Sequence, residues 1–110
     1  MIRELVVSTR TESDLAEAVM WYNQVRLGLG NDLVLCFEEA LNRILDHSEA
    51  FPAVLPGVRR ALVRRFPYGV FYRVRPDRIE VEACFHLRAN PTRLADRLIT
   101  TGLPSYVAKQ

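Results

Sequence analysis

The apolar residues of this chain change their period at Gly57. From Thr11 to His47 they recur every three or four positions, and beyond Gly57 they recur every second position as far as Phe85. A helix repeats every 3.6 residues and a strand every two, so the first half is committed to helices and the second to a sheet with one buried face. Helices gathered ahead of strands mark an α+β protein rather than an alternating α/β one.

Within that frame the elements can be placed. Residues 2–8, IRELVVS, are short and β-branched and stop at Thr9-Arg10-Thr11, as a first strand would. A helix follows, with Thr11 or Ser13 as N-cap, Glu12 and Asp14 in the acid-favouring first turn, and Leu15, Val19, Tyr22 and Val25 on one face. Leu27-Gly28-Leu29-Gly30 breaks it. A second amphipathic helix runs from Asn31 to about His47, with Val34, Phe37, Leu41, Ile44 and Leu45 apolar. The pair forms an antiparallel hairpin. Residues 48–57, SEAFPAVLPG, cannot extend a helix through their prolines and read as a crossing loop.

Three strands follow as a meander, turning at Phe66-Pro67 and at Pro76-Asp77. A two-residue loop at Pro76-Asp77 sets Val74 against Ile79, Tyr72 against Val81 and Val70 against Ala83, all on the core face. Phe71, Arg73 and Arg75 then share the other face with Glu80, Glu82, Cys84 and His86, and an ion pair across the strands to Glu80 accounts for Arg73. Asn90-Pro91 caps a short closing helix to about Thr100. Leu103, Tyr106 and Val107 can pack along an edge strand. The expected architecture is a two-helix N-terminal hairpin on one face of a four-stranded antiparallel sheet, with a short C-terminal helix and the other face partly open. The first strand lies at an edge or beside the last. One core is all that 110 residues can bury, so residues 1–110 form a single domain.

Apolar content of 49% with 25% charged residues excludes a disordered chain. Two cysteines, Cys36 and Cys84, make no disulfide framework, and neither a signal peptide nor a membrane span is legible, so a reduced, cytoplasmic protein is expected. The net charge of +2 conceals a division. Acids such as Glu38, Glu39, Asp46 and Glu49 crowd the helical half, and arginines crowd the sheet. Lys109 is the only lysine. Arginine binds carboxylate and phosphate in bidentate fashion, which favours an anionic partner. Between Gly57 and Pro76 no acid interrupts Arg59, Arg60, Arg64, Arg65, Arg73 and Arg75.

Trp21-Tyr22, Gly28-Leu29-Gly30, the run RRFPYGVFYRV and the strand end His86-Leu-Arg-Ala-Asn-Pro91 together resemble the RelE/ParE superfamily of bacterial toxins, across nearly the whole chain. The resemblance implies a toxin of a type II toxin–antitoxin pair, neutralised by a cognate antitoxin laid in a groove. Some relatives cleave messenger RNA on the ribosome, and others poison DNA gyrase. The cleaving kind is expected to carry an arginine after the tyrosine that opens the middle strand, another past the last strand, and a tyrosine in the closing helix. Here the first position is Gly69, the second is Arg88, and the third falls on Leu94 or Arg93.

That pattern favours the ParE-like branch, plasmid stabilisation proteins that bind a target such as DNA gyrase without catalysis. Arg59, Arg60, Arg64, Arg65, Arg88 and Arg93 are then expected to line a positive groove for antitoxin or target. Two alternatives stand beside it: a ribosome-dependent mRNA endoribonuclease built on Arg88, His86, Arg64 and Arg65, and a non-toxic module that only binds an antitoxin. Histidine titrates at about pH 6.5, which suits His86 to acid–base work. No cofactor, metal or membrane is implied. Trp21, Tyr22 and Cys36 read as packing residues.

Overall fold

Ser8 is where strand becomes helix. In the computed structural model, which describes residues 4–99 and 106–109, β1 (Glu4–Ser8) runs directly into α1 (Thr9–Val25). The Ser8 hydroxyl accepts the Thr11 amide at 3.1 Å and so caps the helix. The cap therefore lies upstream of Thr11 and Ser13, because a serine at the strand end already meets the first free amide. Three residues lead to α2 (Leu29–Asp46), through Gly28 at φ 95°, a left-handed conformation suited to glycine. The Asn23 carboxamide oxygen binds the amides of Gly28 and Gly30 at 3.3 and 2.9 Å. A side chain at Gly30 would strike the Val19 carbonyl and Asn23, so the hairpin closes on bare backbone there.

The remaining elements are β2 (Ala53–Leu55), β3 (Val58–Leu62), β4 (Tyr68–Val74), β5 (Arg78–His86), α3 (Pro91–Ile99) and β6 (Tyr106–Lys109). They build a six-stranded mixed sheet in the order β2-β3-β4-β5-β1-β6. The expected four antiparallel strands are corrected in two respects. The stretch 48–57 is not wholly loop, because β2 forms in it and pairs with β3. The first strand does lie beside the last of the meander, but parallel to it, with Leu5 opposite Ile79 and Val7 opposite Val81. Parity explains the direction: short connections reverse the chain each time, and β2 adds the one reversal that turns an antiparallel pairing into a parallel one. At the far edge β6 pairs antiparallel with β1, so Tyr106 and Val107 do belong to an edge strand. Ile2, Arg3, Thr100 and Leu103 lie outside the described residues.

The meander register begins as the turn dictates, Val74 to Ile79, Arg73 to Glu80 and Tyr72 to Val81, then slips by one, so that Phe71 faces Ala83 and Val70 faces Cys84. Glu82 is the extra residue of a β-bulge. The slip moves Ala83 off the helix-covered face and puts Cys84 on it.

Two cores result. The main one, between the sheet and the helical hairpin, contains Leu5, Val7, Leu15, Leu33, Phe37, Leu41, Ile44, Val70, Tyr72, Ile79, Val81 and Cys84. Tyr72 is fully buried, and its hydroxyl donates to the Ser48 carbonyl at 2.6 Å. The smaller one lies on the face expected to be partly open, where Leu98 and Leu94 of α3 pack on Val58, Phe71, Ala83 and Phe85. A helix with alternating strand residues beneath it covers apolar area that would otherwise face water. Arg73 takes part in holding α3: it donates to the Leu98 carbonyl at 2.7 Å and lies 3.9 Å from Glu82. Glu80, opposite it in register, is held instead by Arg75 and Arg78 at 3.1 and 2.7 Å. Val25, expected on the buried face of α1, is exposed.

Candidate functional site

Past Val81 the strand β5 outruns its neighbour β1, and α1 takes over the vacant edge. Ser8, Thr11 and Asp14 recur at every third position, so they point the same way from the helix. Thr11 Oγ1 donates to the Val81 carbonyl at 3.3 Å, Ser8 Oγ reaches the Glu82 carbonyl at 3.5 Å, and Asp14 accepts the Cys84 amide at 3.1 Å. Asp14 also takes both ends of the Arg97 guanidinium, at 2.8 and 2.9 Å, tying α3 to α1 around the end of β5. Phe85 lies under this clasp, with the guanidinium carbons of Arg97 and Arg93 at 4.8 and 5.1 Å from its ring centroid.

Above the clasp opens a cleft of about 420 Å³. One wall is aromatic: Trp21 meets Tyr22 edge-on at 4.8 Å, Tyr22 lies 6.2 Å from Tyr68, and Tyr68 stands against His86 at 5.3 Å. Charged side chains line the cleft as well, Glu17 from α1 beside the aromatic row and Arg88 and Arg93 from beyond β5. Burial raises the Tyr68 phenol above its usual range, helped by Tyr22, Cys84 and Glu17. Burial, with Asp14 nearby, pushes the Cys84 thiol up to about 12, so it stays protonated and is no nucleophile. The Arg88 amide donates to His86 Nδ1 at 3.0 Å, which leaves Nε2 as the ring nitrogen that carries hydrogen in the neutral imidazole. Among the described residues no three His, Cys, Asp or Glu side chains are gathered to hold a metal.

On the other side of His86 and Ala89, which line both, lies a second hollow of about 240 Å³, mostly apolar, between β2, β4 and α3. Val54, Leu55, Phe71 and Leu94 form it, and Arg60 enters from β3. Arg60 can lie there because Gly69 has no side chain. A Cβ at Gly69 would come within 2.9 Å of Arg60 Cδ.

The six arginines singled out in sequence are thus divided. Arg88 and Arg93 stand at the cleft and Arg60 in the adjoining hollow. Arg59 is spent on backbone, donating to the carbonyls of Glu49 and Phe51 at 3.1 and 2.6 Å. Arg64 and Arg65 sit on the turn after β3 beside α2, Arg64 3.3 Å from Glu39 and Arg65 3.7 Å from Asp32. The hydrogen bond from Arg43 holds the Glu39 carboxyl below its usual range. Chain distance gave no sign of these pairings, since Glu39 and Asp32 lie on a helix, far ahead in the chain of the arginines they meet. Asp14, Glu17, Trp21, Tyr22 and Tyr68 are among the cleft residues that sequence reasoning did not select, since Trp21 and Tyr22 read there as packing residues; the aromatic pair Trp21-Tyr22 and the Tyr at the start of β4 were the available signals.

No model of a protein family matches the chain, and no curated protein matches it. Among solved structures, one described as "Chromosomal ParDE TA system from P. aeruginosa" is similar in fold, with a TM-score of 0.60 over 77% of this chain and 96% of that one, at 15% identity. The α+β arrangement of a helical hairpin on a sheet is thus shared with a protein of a toxin–antitoxin system.

Proposed function

We propose that the chain is the toxin of a type II toxin–antitoxin pair, ParE-like, working in the cytoplasm by binding a cellular target, DNA gyrase, and silenced by a cognate antitoxin. The fold likeness to a ParDE system supports the toxin–antitoxin role. The observation that carries binding over cleavage is Gly69. An RNA-cleaving relative would be expected to place an arginine there, and in this chain the stem of Arg60 fills that space. Leu94, at the closing-helix position, is half-buried in the apolar hollow and has no proton to exchange. What remains around His86 is a surface: aromatic wall, apolar hollow, and the cations Arg60, Arg88 and Arg93.

The test begins with expression of the chain alone, which should arrest growth, and co-expression of its antitoxin, which should relieve it. Purified chain should then inhibit supercoiling by gyrase and leave ribosome-bound message intact. Cut message with normal supercoiling would instead establish the endoribonuclease reading, whose residues would be His86 and Arg88 in the cleft. Undiminished growth would leave only an antitoxin-binding module.

A further inference from the structure

Among the described residues, Arg60 Nε is the one buried side-chain donor without a hydrogen-bond partner. A buried N–H of a charged group left unmet costs more than an ordinary unmade hydrogen bond, and such groups call for a ligand that completes them. The Arg60 side chain lines the second hollow, where Phe71, Val54, Leu55 and Leu94 supply apolar walls and no acid. Other arginines of the chain show the contrast: Arg64 and Arg65 already face Glu39 and Asp32.

Building on the reading that this protein pairs with a second polypeptide, we propose that the hollow seats one anchor of that partner: a large aliphatic side chain immediately followed by an aspartate or glutamate. The aliphatic group fills the space against Phe71 and Leu94, and the Arg60 side chain shifts to turn its Nε, shielded in the unbound chain, onto the carboxylate. The volume, about 240 Å³, equals the share of roughly eight liquid waters and has room for the aliphatic side chain together with the carboxylate that follows it. A polypeptide rather than a free acid is favoured because the surface continues beyond the hollow. Leu87 at the rim is 45% exposed, and beyond His86 the cleft adds Arg88 and Arg93. A chain with further acids would track that line, by charge complementarity.

Three capped dipeptides test it against the isotopically labelled full-length protein: acetyl-Leu-Glu-amide, acetyl-Leu-Gln-amide and acetyl-Ala-Glu-amide. The Arg60 Nε–H resonance and the Leu94 methyls should shift saturably with the first. The other two should bind about tenfold more weakly or worse, the loss expected for one charge-assisted hydrogen bond or for the apolar filling. Arg60→Gln should erase the preference for Glu over Gln, and because the peptide comparison is made on the unaltered protein it stands even if that variant misfolds. Equal binding of Leu-Glu and Leu-Gln, shifts centred on Arg64 or Arg93 with Arg60 unmoved, or no saturable shift would each overturn the proposal. Growth arrest is read separately: arrest without peptide binding keeps the toxin and removes this anchor, and binding without arrest does the reverse.

Discussion

Arg65 is the only residue other than glycine with positive φ among the described ones, at 71°. A non-glycine side chain there carries strain of about 1 kcal/mol. Little offsets it. The guanidinium lies 3.7 Å from Asp32 and 5.7 Å from the Phe66 ring centroid, but the side chain is 62% exposed, and solvated pairs of that kind contribute a few tenths of a kcal/mol. Arg65→Gly would relieve the strain while giving the unfolded chain more freedom, a term of similar size and opposite sign. Stability measured by urea denaturation should therefore stay within about 0.5 kcal/mol of the parent. A larger loss would mean that the ion pair with Asp32 stabilises more than its exposure suggests. The same variant separates binding from folding, since any lost growth arrest in a protein of unchanged stability belongs to the missing guanidinium.

At the scale of elements, the clasp of α1 on β5 and α3 concentrates its energy in Asp14. Its carboxylate and the Arg97 guanidinium are 9% and 16% exposed, and the same carboxylate holds the Cys84 amide. Asp14→Ala leaves a largely buried guanidinium and a strand amide unpaired, and should cost about 3 kcal/mol. Arg97→Ala added to it should restore part of that loss, because the orphaned charge goes with it; additive losses in the double-variant cycle would show that the two do not couple. Hydrogen exchange should localise the loosening to α3 first.

The same elements show what was legible. Two helices and the meander strands announce themselves by several turns or pairs of one period, and Asn90-Pro91 marks α3 by chemistry; Asn90 accepts the Thr92 amide at 2.9 Å. β2 is three residues between prolines, too short to display a period, yet it reverses the direction of the whole sheet relative to β1. The bulge at Glu82 was silent because Ala83 and Cys84 are small enough for either face. Of the site, the sequence showed which arginines lacked acids nearby in the chain; it did not show that α2 brings Glu39 and Asp32 to two of them.

For the whole molecule, acids of α2 answer two of the cations that follow β3, Glu39 facing Arg64 and Asp32 facing Arg65, while Arg60, Arg88 and Arg93 line the hollow and the cleft on either side of His86. The main core beneath contains two weak acids that the fold keeps neutral. Burial raises the Cys84 thiol from 9.0 to about 12, with Asp14 adding to it. Burial likewise raises the Tyr72 phenol from 10.0 to about 12, and Arg59 opposes the shift without cancelling it. In the unfolded chain both give up protons near their ordinary values, while in the fold they hold them. The unfolded state therefore binds fewer protons, and stability falls with rising pH wherever that difference exists. It should be at its full value below pH about 9 and decline as pH climbs toward about 12. Urea midpoints measured across that window should trace the decline. Cys84→Ala combined with Tyr72→Phe should lower the plateau, by a small cavity and by the hydrogen bond to the Ser48 carbonyl, and flatten the slope above pH about 9. A slope unchanged in the double variant would assign the alkaline loss to groups other than Cys84 and Tyr72.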